Sequence, residues 1–313
     1  MDPKSIWQSE EHPKLHGIAL VFGNQLRFLR EVENRVIARC FNYVLHTSKG
    51  NATSMFDIGC AAGDYYGYLR CLPMFDKLNY QGFDISKTAT DAANKFYKTD
   101  IFNVIGGDSD LEGKSADVVL SVNVVLHQMQ PFNHLEQIIN CTKKYLVVSL
   151  RTRDTGETEW NPELSCQRIF GGWVPFMVIN TDELYRNIFK FAGGPLKITN
   201  FKNRTILGGT GYRFLPKELY EEDSGTAVST LIIEKCQEPE ESRIDEYLFH
   251  ASPRSSGRAK RMLSSGFTAG IKNLGLAGFT ARRVCEKIRD KGQIASSFRN
   301  VTIQSIDPKP FIS

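Results

Sequence analysis

The chain has 313 residues, of which 41% are apolar and 24% charged, and its formal net charge is +4. That balance is ordinary for a globular protein, a charge so small singles out no partner, and the length suits one large α/β domain with appendages or two modest domains. Seven scattered cysteines (Cys40, Cys60, Cys71, Cys141, Cys166, Cys236, Cys285) include no Cys-x-x-Cys pair, which argues against a zinc site or a disulfide framework and for reduced thiols in a cytoplasmic protein. Residues 1–11 are polar with both charge signs, unlike a secretory signal. No apolar run reaches the roughly 18 residues of a membrane span, so no transmembrane segment is expected.

In chain order, apolar residues recur at helical spacing from 16 to 47 (Ile18, Val21, Phe22 and on to Val44 and Leu45), predicting one or two helices in an amino-terminal cap over residues 1–50. Lys49-Gly50-Asn51 breaks that pattern. A buried strand is expected at Ser54-Met55-Phe56-Asp57-Ile58, then a glycine-containing loop and a helix over 65–72. A second strand over 78–83 ends at Asp84, and Ser86 is placed to cap a helix running to residue 97. A short strand over 102–105 stops at Gly106-Gly107-Asp108.

Residues 116–122, Ala-Asp-Val-Val-Leu-Ser-Val, are apolar almost throughout, as a parallel strand covered on both faces must be. A helix over 131–141 and a strand over 145–150 follow. Strands alternating with helices at this spacing predict an α/β fold with a doubly wound, mostly parallel, seven-stranded Rossmann-like sheet. Residues 151–180 lack clear periodicity and are long for a connection, which reads as a lid or acceptor-binding segment. Thr181 is placed to cap a helix to residue 191, stopped by Ala192-Gly193-Gly194-Pro195. Strands over 197–202 and 226–235 are expected to pair and finish the sheet, giving a core over 51–236. Residues 238–243 read as a charged linker, and 237–313 as a basic carboxyl-terminal extension.

Gly59 and Gly63 stand where a strand turns tightly into a helix, a place that requires unusual backbone angles and close approach of a ligand. Their spacing is Asp-x-Gly-x-x-x-Gly. A dinucleotide loop would need glycine where Ala61 and Asp64 stand, and no Gly-Lys-Ser/Thr phosphate loop is present. The loop therefore suits an adenosine ligand lacking a pyrophosphate.

Asp57-Ile58-Gly59-Cys60-Ala61-Ala62-Gly63 resembles motif I of the class I S-adenosylmethionine-dependent methyltransferases. The resemblance implies that Asp57, Gly59, Cys60, Ala61 and Gly63 hold the amino acid part of S-adenosylmethionine, the implied cofactor. Asp84 and Ile85 match the position from which the family directs an acid at the ribose hydroxyls, where a carboxylate can accept two hydrogen bonds. Asp108 and Ser109 resemble the adenine-contacting position. Asn123 and Val124, within Ser121-Val122-Asn123-Val124-Val125-Leu126-His127, resemble motif IV, which borders the methyl donor. The resemblance covers residues 51–235. Plainer readings stand beside it: Asp57 bracing the loop, Asp84 capping a helix, Asp108 belonging to a turn, and Cys60 as a small loop residue without a neighbouring base.

Methyl transfer from a sulfonium is an in-line displacement, and a hydroxyl acceptor must also lose its proton. His127 is the candidate general base, its alternative role being to pack or cap the loop; His134 is a weaker candidate on the next helix. Arg151, Arg153, Gln167, Arg168 and Trp173, with Trp160, are candidates for a polar and aromatic site that takes an anionic or sugar-like acceptor. No Asn/Asp-Pro-Pro-Tyr/Phe follows the fourth strand, which turns the reading from amino-group acceptors, and no pair of acids is placed for a metal. The expected acceptor is a hydroxyl or carboxyl group of a small molecule or glycan. The alternatives are RNA methylation and a catalytically silent methyltransferase-like binding domain. Between residues 254 and 299, eleven Lys and Arg stand against Glu286 and Asp290. That basic stretch leaves three partners open: the chain's own domain or a second subunit, an anionic membrane surface, and RNA.

Overall fold

The structure is a computed structural model that describes residues 3–12, 32–48, 50–70, 75–208, 211–250 and 302–308. The expected helix before residue 32 and the basic stretch over 254–299 lie outside the described residues. Five strands alternate with helices in the first half: β1 (Ser54–Ile58), α3 (Asp64–Leu69), β2 (Asn79–Asp84), α4 (Lys87–Tyr97), β3 (Phe102–Val104), β4 (Ala116–Val122), α5 (Pro131–Asn140) and β5 (Thr142–Arg153). Two helices precede them, α1 (Pro3–Trp7) and α2 (Val32–Thr47). After β5 come β6 (Cys166–Ile169), β7 (Gly172–Pro175), β8 (Val178–Asn180), α6 (Thr181–Ala192), β9 (Leu196–Arg204), β10 (Arg213–Phe214), β11 (Ala227–Lys235), β12 (Arg243–Phe249) and β13 (Thr302–Ile306).

The main sheet has ten strands in the order β13-β12-β9-β11-β5-β4-β1-β2-β3, with β8 pairing only with β5. Strands β1 to β5 pair in parallel, and β11 runs antiparallel to both of its neighbours. The expected seven strands form the contiguous run β9-β11-β5-β4-β1-β2-β3 of this larger sheet, ending at the β3 edge, with β9 and β11 pairing as foreseen. Alternate residues of each strand feed opposite faces, the period-2 rule for a doubly covered sheet. Val118 and Leu120 of β4 and Val147 of β5 pack with Val36, Ile37, Phe41 and Val44 of α2 and Leu69 of α3. Val119, Leu146, Val148 and Leu150 face the other way, onto Leu135 and Ile138 of α5 and Leu184 and Ile188 of α6.

Two expectations change. The sheet does not end at Cys236: β12 continues it parallel to β9, from Arg243 beside Lys197 to Phe249 beside Asn203. Its sequence carries three charges, Arg243, Asp245 and Glu246, and so does not read as a buried strand. Asp245 and Glu246 are nonetheless buried, each with an ion-pair partner. The cap of α6 is Asn180 and not Thr181. The Asn180 side chain accepts from the N–H groups of Asp182 and Glu183, while the Thr181 hydroxyl bonds back to Arg153 O and Asp154. Ser86 caps α4 as expected, accepting from Ala89 N.

Candidate functional site

β1 and β4 are neighbours whose following helices leave on opposite faces, and such a switch in strand order opens a crevice at the carboxyl ends of the strands. A cavity of about 1260 Å³ lies there. That exceeds the usual range for one small ligand, roughly 300–1,000 Å³. It leaves room for two.

The floor of one end is the loop after β1. Gly59 N and Cys60 N both donate to Phe83 O, at 2.8 and 3.1 Å, which pins the loop to the end of β2. Gly59 has φ 80, and a Cβ there would stand 2.1 Å from Val124 Cγ2. The turn needs glycine, and the segment after β4 closes directly onto it. Gly63 also has a left-handed φ, and a Cβ on it would meet Tyr97 and Phe102. Gly59, Cys60, Ala61 and Asp64 border the cavity, whereas Asp57 and Gly63 shape the loop from beneath. Asp57 is buried and accepts from Tyr80 Oη at 2.7 Å. Burial pushes its carboxyl up to about 7, and the neighbouring Asp84 and Asp64 add to this. Burial likewise pushes Asp64 up to about 7. The Cys60 thiol is raised by burial too, and is held away from its nucleophilic form.

Asp84 joins the loop to the next helix. Its Oδ2 accepts from Ala61 N and its Oδ1 from Ser86 N, each at 2.8 Å. These bonds support Ala61 in a left-handed conformation, φ 47, that its side chain disfavours. A carboxylate oxygen has a second lone-pair direction, so Asp84 both braces the loop and borders the cavity with Ile85. Asp108 borders it as well, and its Oδ1 accepts from His134 Nδ1 at 2.7 Å. Burial opposes ionisation of Asp108, but the His134 hydrogen bond and charge, with Lys4, hold its carboxyl below the ordinary value. Ser109 is exposed and does not border the cavity, because the turn over 108–111 points its side chain outward.

The other end is aromatic. His127 closes the turn after β4, and its Nδ1 lies 2.7 Å from Pro175 O. A carbonyl only accepts, so Nδ1 carries a proton, and in the neutral ring the lone pair is on Nε2. The imidazole sits between Trp7, at 5.0 Å ring to ring, and Phe176, at 6.0 Å. Trp7 comes from α1, a strap across the mouth of the cavity. Lys4 Nζ donates to Gly106 O, and Ile6 fills the notch left by Gly172, where a Cβ would stand 2.4 Å from Ile6 Cδ1. Facing α1 is a small sheet, β10-β6-β7, whose hairpin turns on Phe170 and Gly171, both with positive φ. Phe170 packs edge-on against Trp7 at 6.1 Å.

The arginines after β5 have other duties. Arg151 borders the cavity, but its guanidinium makes a two-pronged pair with Glu33 of α2, at 3.1 and 3.0 Å, and donates to Asn123 Oδ1 at 3.0 Å. Burial would raise Glu33; Arg151, with hydrogen bonds from Ser149 and Asn123, outweighs it and holds the carboxyl low. The pair docks α2 onto the crevice and fixes Asn123, which has φ 59. Arg153 does not reach the cavity, because β5 runs on through it and it turns to hold Thr155 O, Glu157 O and Glu218. Trp173 and Trp160 are exposed and outside the cavity: Trp173 occupies the outer face of β7, and Trp160 packs on Phe132. Gln167 and Arg168 do border it. Trp7, Glu33, Phe170 and Arg213 were not foreseen, since each depends on a contact between distant segments.

Residues 56–147 match the family model described as a methyltransferase domain. Over that span the chain is similar to methyltransferase domains, and its fold is of the Rossmann-like type they share. No curated protein matches the sequence. Among solved structures, the chain is similar to an O-methyltransferase from a trans-AT polyketide synthase of Brevibacillus brevis in complex with S-adenosyl-L-homocysteine. That pair shares 13% identity over 75% of this chain and 80% of the other, with a TM-score of 0.46. Magnesium protoporphyrin IX methyltransferase from Synechocystis PCC 6803 with bound SAM is 12% identical over 75% and 98% of the two chains, TM-score 0.39. A putative methyltransferase of Haloferax volcanii, in complex with its Trm112 activator, is 17% identical over 75% and 98%, TM-score 0.43.

Proposed function

We propose that this chain transfers the methyl group of S-adenosylmethionine to a hydroxyl or carboxyl group of a small molecule or glycan. The observation that carries the reading is the loop after β1, held on Asp84, closed by Val124, and bordered by an acid that burial leaves poorly ionised. A site that strains to ionise a carboxyl is complementary to a cationic ligand, which would restore the carboxylate. S-adenosylmethionine, with a sulfonium and an ammonium, fits those groups. Gly59, Cys60, Ala61 and Asp64 would hold its amino acid part, Asp84 and Ile85 its ribose and Asp108 its adenine.

Bound there, the cofactor supplies an electrophilic methyl group on a positively charged sulfur. The chain supplies position and proton transfer. Trp7 and Phe176 both pack on the His127 ring, and Pro175 O fixes its tautomer, so that Nε2 is the basic nitrogen of the neutral ring. His127 takes the proton of a hydroxyl acceptor as its oxygen becomes the nucleophile. Trp7 of α1, Phe170 and Phe176 line the acceptor end with aromatic surface, which would disfavour water beside a bound acceptor.

Calorimetry with S-adenosylmethionine and S-adenosylhomocysteine tests the donor assignment, and failure of both to bind sinks it. His127→Gln is then expected to lower turnover by about 10²–10⁴-fold, the usual contribution of a general base. Donor affinity should hold. Unchanged turnover would remove His127 from the mechanism.

A further inference from the structure

Three guanidiniums border the cavity: Arg151, Arg168 and Arg213. Arg151 is neutralised by Glu33. Arg168 is exposed to solvent, which screens its charge. Arg213, on β10, differs from both. It is half-buried, and its hydrogen bonds go to neutral acceptors, from Nε to Gln167 Oε1 at 2.9 Å and from Nη1 to Leu207 O at 3.2 Å. Among the described residues it has no carboxylate partner. Its flat face lies on Phe176, with Cζ 4.4 Å from the ring centroid. Burial pulls its pKa below the usual guanidinium value; the nearby Arg151 adds to this, while Tyr212 and Glu33 oppose it without reversing it. A half-buried cation bonded only to neutral acceptors keeps a desolvation cost that an anion in the cavity would offset.

The ring that Arg213 covers is the ring that packs on His127. A guanidinium with no carboxylate partner among the described residues and a basic imidazole nitrogen therefore line the same aromatic end, both packed on one phenyl ring. Guanidinium is planar and matches a carboxylate with two parallel N–H···O bonds, and stacking on Phe176 fixes the plane in which it can do so. We propose that Arg213 is the anion anchor of the acceptor subsite, and that the acceptor is a planar organic acid whose carboxylate pairs with Arg213 while its hydroxyl reaches His127. The fate of that hydroxyl rests on the methyltransferase reading; the anion subsite does not. The rival role for this cation is to hold the carboxylate of the donor itself.

The test is a calorimetric titration of the full chain with para-hydroxybenzoate and para-hydroxycinnamate, each against its neutral methyl ester, with and without S-adenosylhomocysteine. The wild type is expected to bind an acid roughly tenfold or more tighter than its ester, the range of a charge-assisted hydrogen bond. Arg213→Gln should erase that preference by weakening the acid alone, with the ester and S-adenosylhomocysteine unchanged, and Arg213→Lys should restore part of it. Equal binding of acid and ester by the wild type overturns the proposal, as does no binding of either acid at millimolar concentration. Arg213→Gln weakening acid and ester alike would show a purely structural role, and weakening S-adenosylhomocysteine instead would assign Arg213 to the donor. If S-adenosylhomocysteine fails to bind, the donor assignment falls, yet the acid and ester titrations without it still decide the role of Arg213.

Discussion

Asp64 stands at the first position of α3, borders the cavity, and is pushed by burial from the ordinary 3.8 up to about 7. An acid whose folded pKa is raised contributes its full stability below the unfolded value and loses it as pH rises through the folded value. The window here is about pH 4 to 7. The stability of the wild type relative to Asp64→Asn should therefore fall as pH rises from 5 to 8, by on the order of 1 kcal/mol once partial solvent contact is allowed for. Urea denaturation at the two pH values measures this, and a difference that does not move with pH would refute it. A cationic donor has the opposite preference, for the ionised carboxyl. Donor affinity should rise over the same window, with proton release on binding, and Asp64→Asn should flatten that rise. Proton uptake on binding would contradict the assignment.

At the scale of elements, the loop after β1 depends on one glycine more than on its acids. A Cβ at Gly59 meets both a φ of 80 and the Val124 side chain 2.1 Å away. Gly59→Ala is expected to cost about 1–3 kcal/mol, the range for a strained left-handed residue. It should also push the segment after β4 off the loop. Thermal melts with and without S-adenosylhomocysteine should show a lower Tm and no ligand-induced shift, and a normal shift would mean that the loop does not hold the donor. This loop was legible in the sequence because its geometry is local: glycine spacing, a buried strand before it and a capped helix after Ser86. The small sheet opposite was not. β6, β7 and β10 are two to four residues long, too short to show a period, and the Arg213 pairing to Gln167 spans 46 positions. The five-residue α1 is held by tertiary contacts of Ile6 and Trp7, which a polar opening segment does not announce. The same limit misled the reading of Arg153: direct succession to a strand suggested the crevice, but β5 extends past 150 and carries that side chain into the wall.

For the whole molecule, the question is where the folded unit ends. Lys202 of β9 is buried with its ammonium 2.5 Å from Asp154, which follows β5, and 2.9 Å from Glu246 of β12. Tyr185 of α6 donates to the same Glu246 at 2.5 Å and accepts from Asn200, and Arg204 pairs with Asp154. One polar network thus ties the exit of β5, the helix α6 and the added strand β12. A boundary drawn at Cys236 would leave a buried ammonium with one of its two anions. Removing one partner of a buried pair costs about 3–5 kcal/mol because the remaining charge is stranded, whereas replacing the whole pair by apolar side chains is often neutral. Glu246→Leu should therefore lower stability by about that much, and adding Lys202→Met to it should recover a large part. Urea denaturation of the two single variants and the double variant measures the coupling. Additive losses would show the network to be incidental, and the strand after 242 to be an appendage. None of these residues borders the cavity, so S-adenosylhomocysteine affinity of the folded variants should match the wild type. If it does, the added strand sustains the sheet without taking part in the crevice, and the chemistry stays with the strands β1 to β5 and the small sheet that covers them.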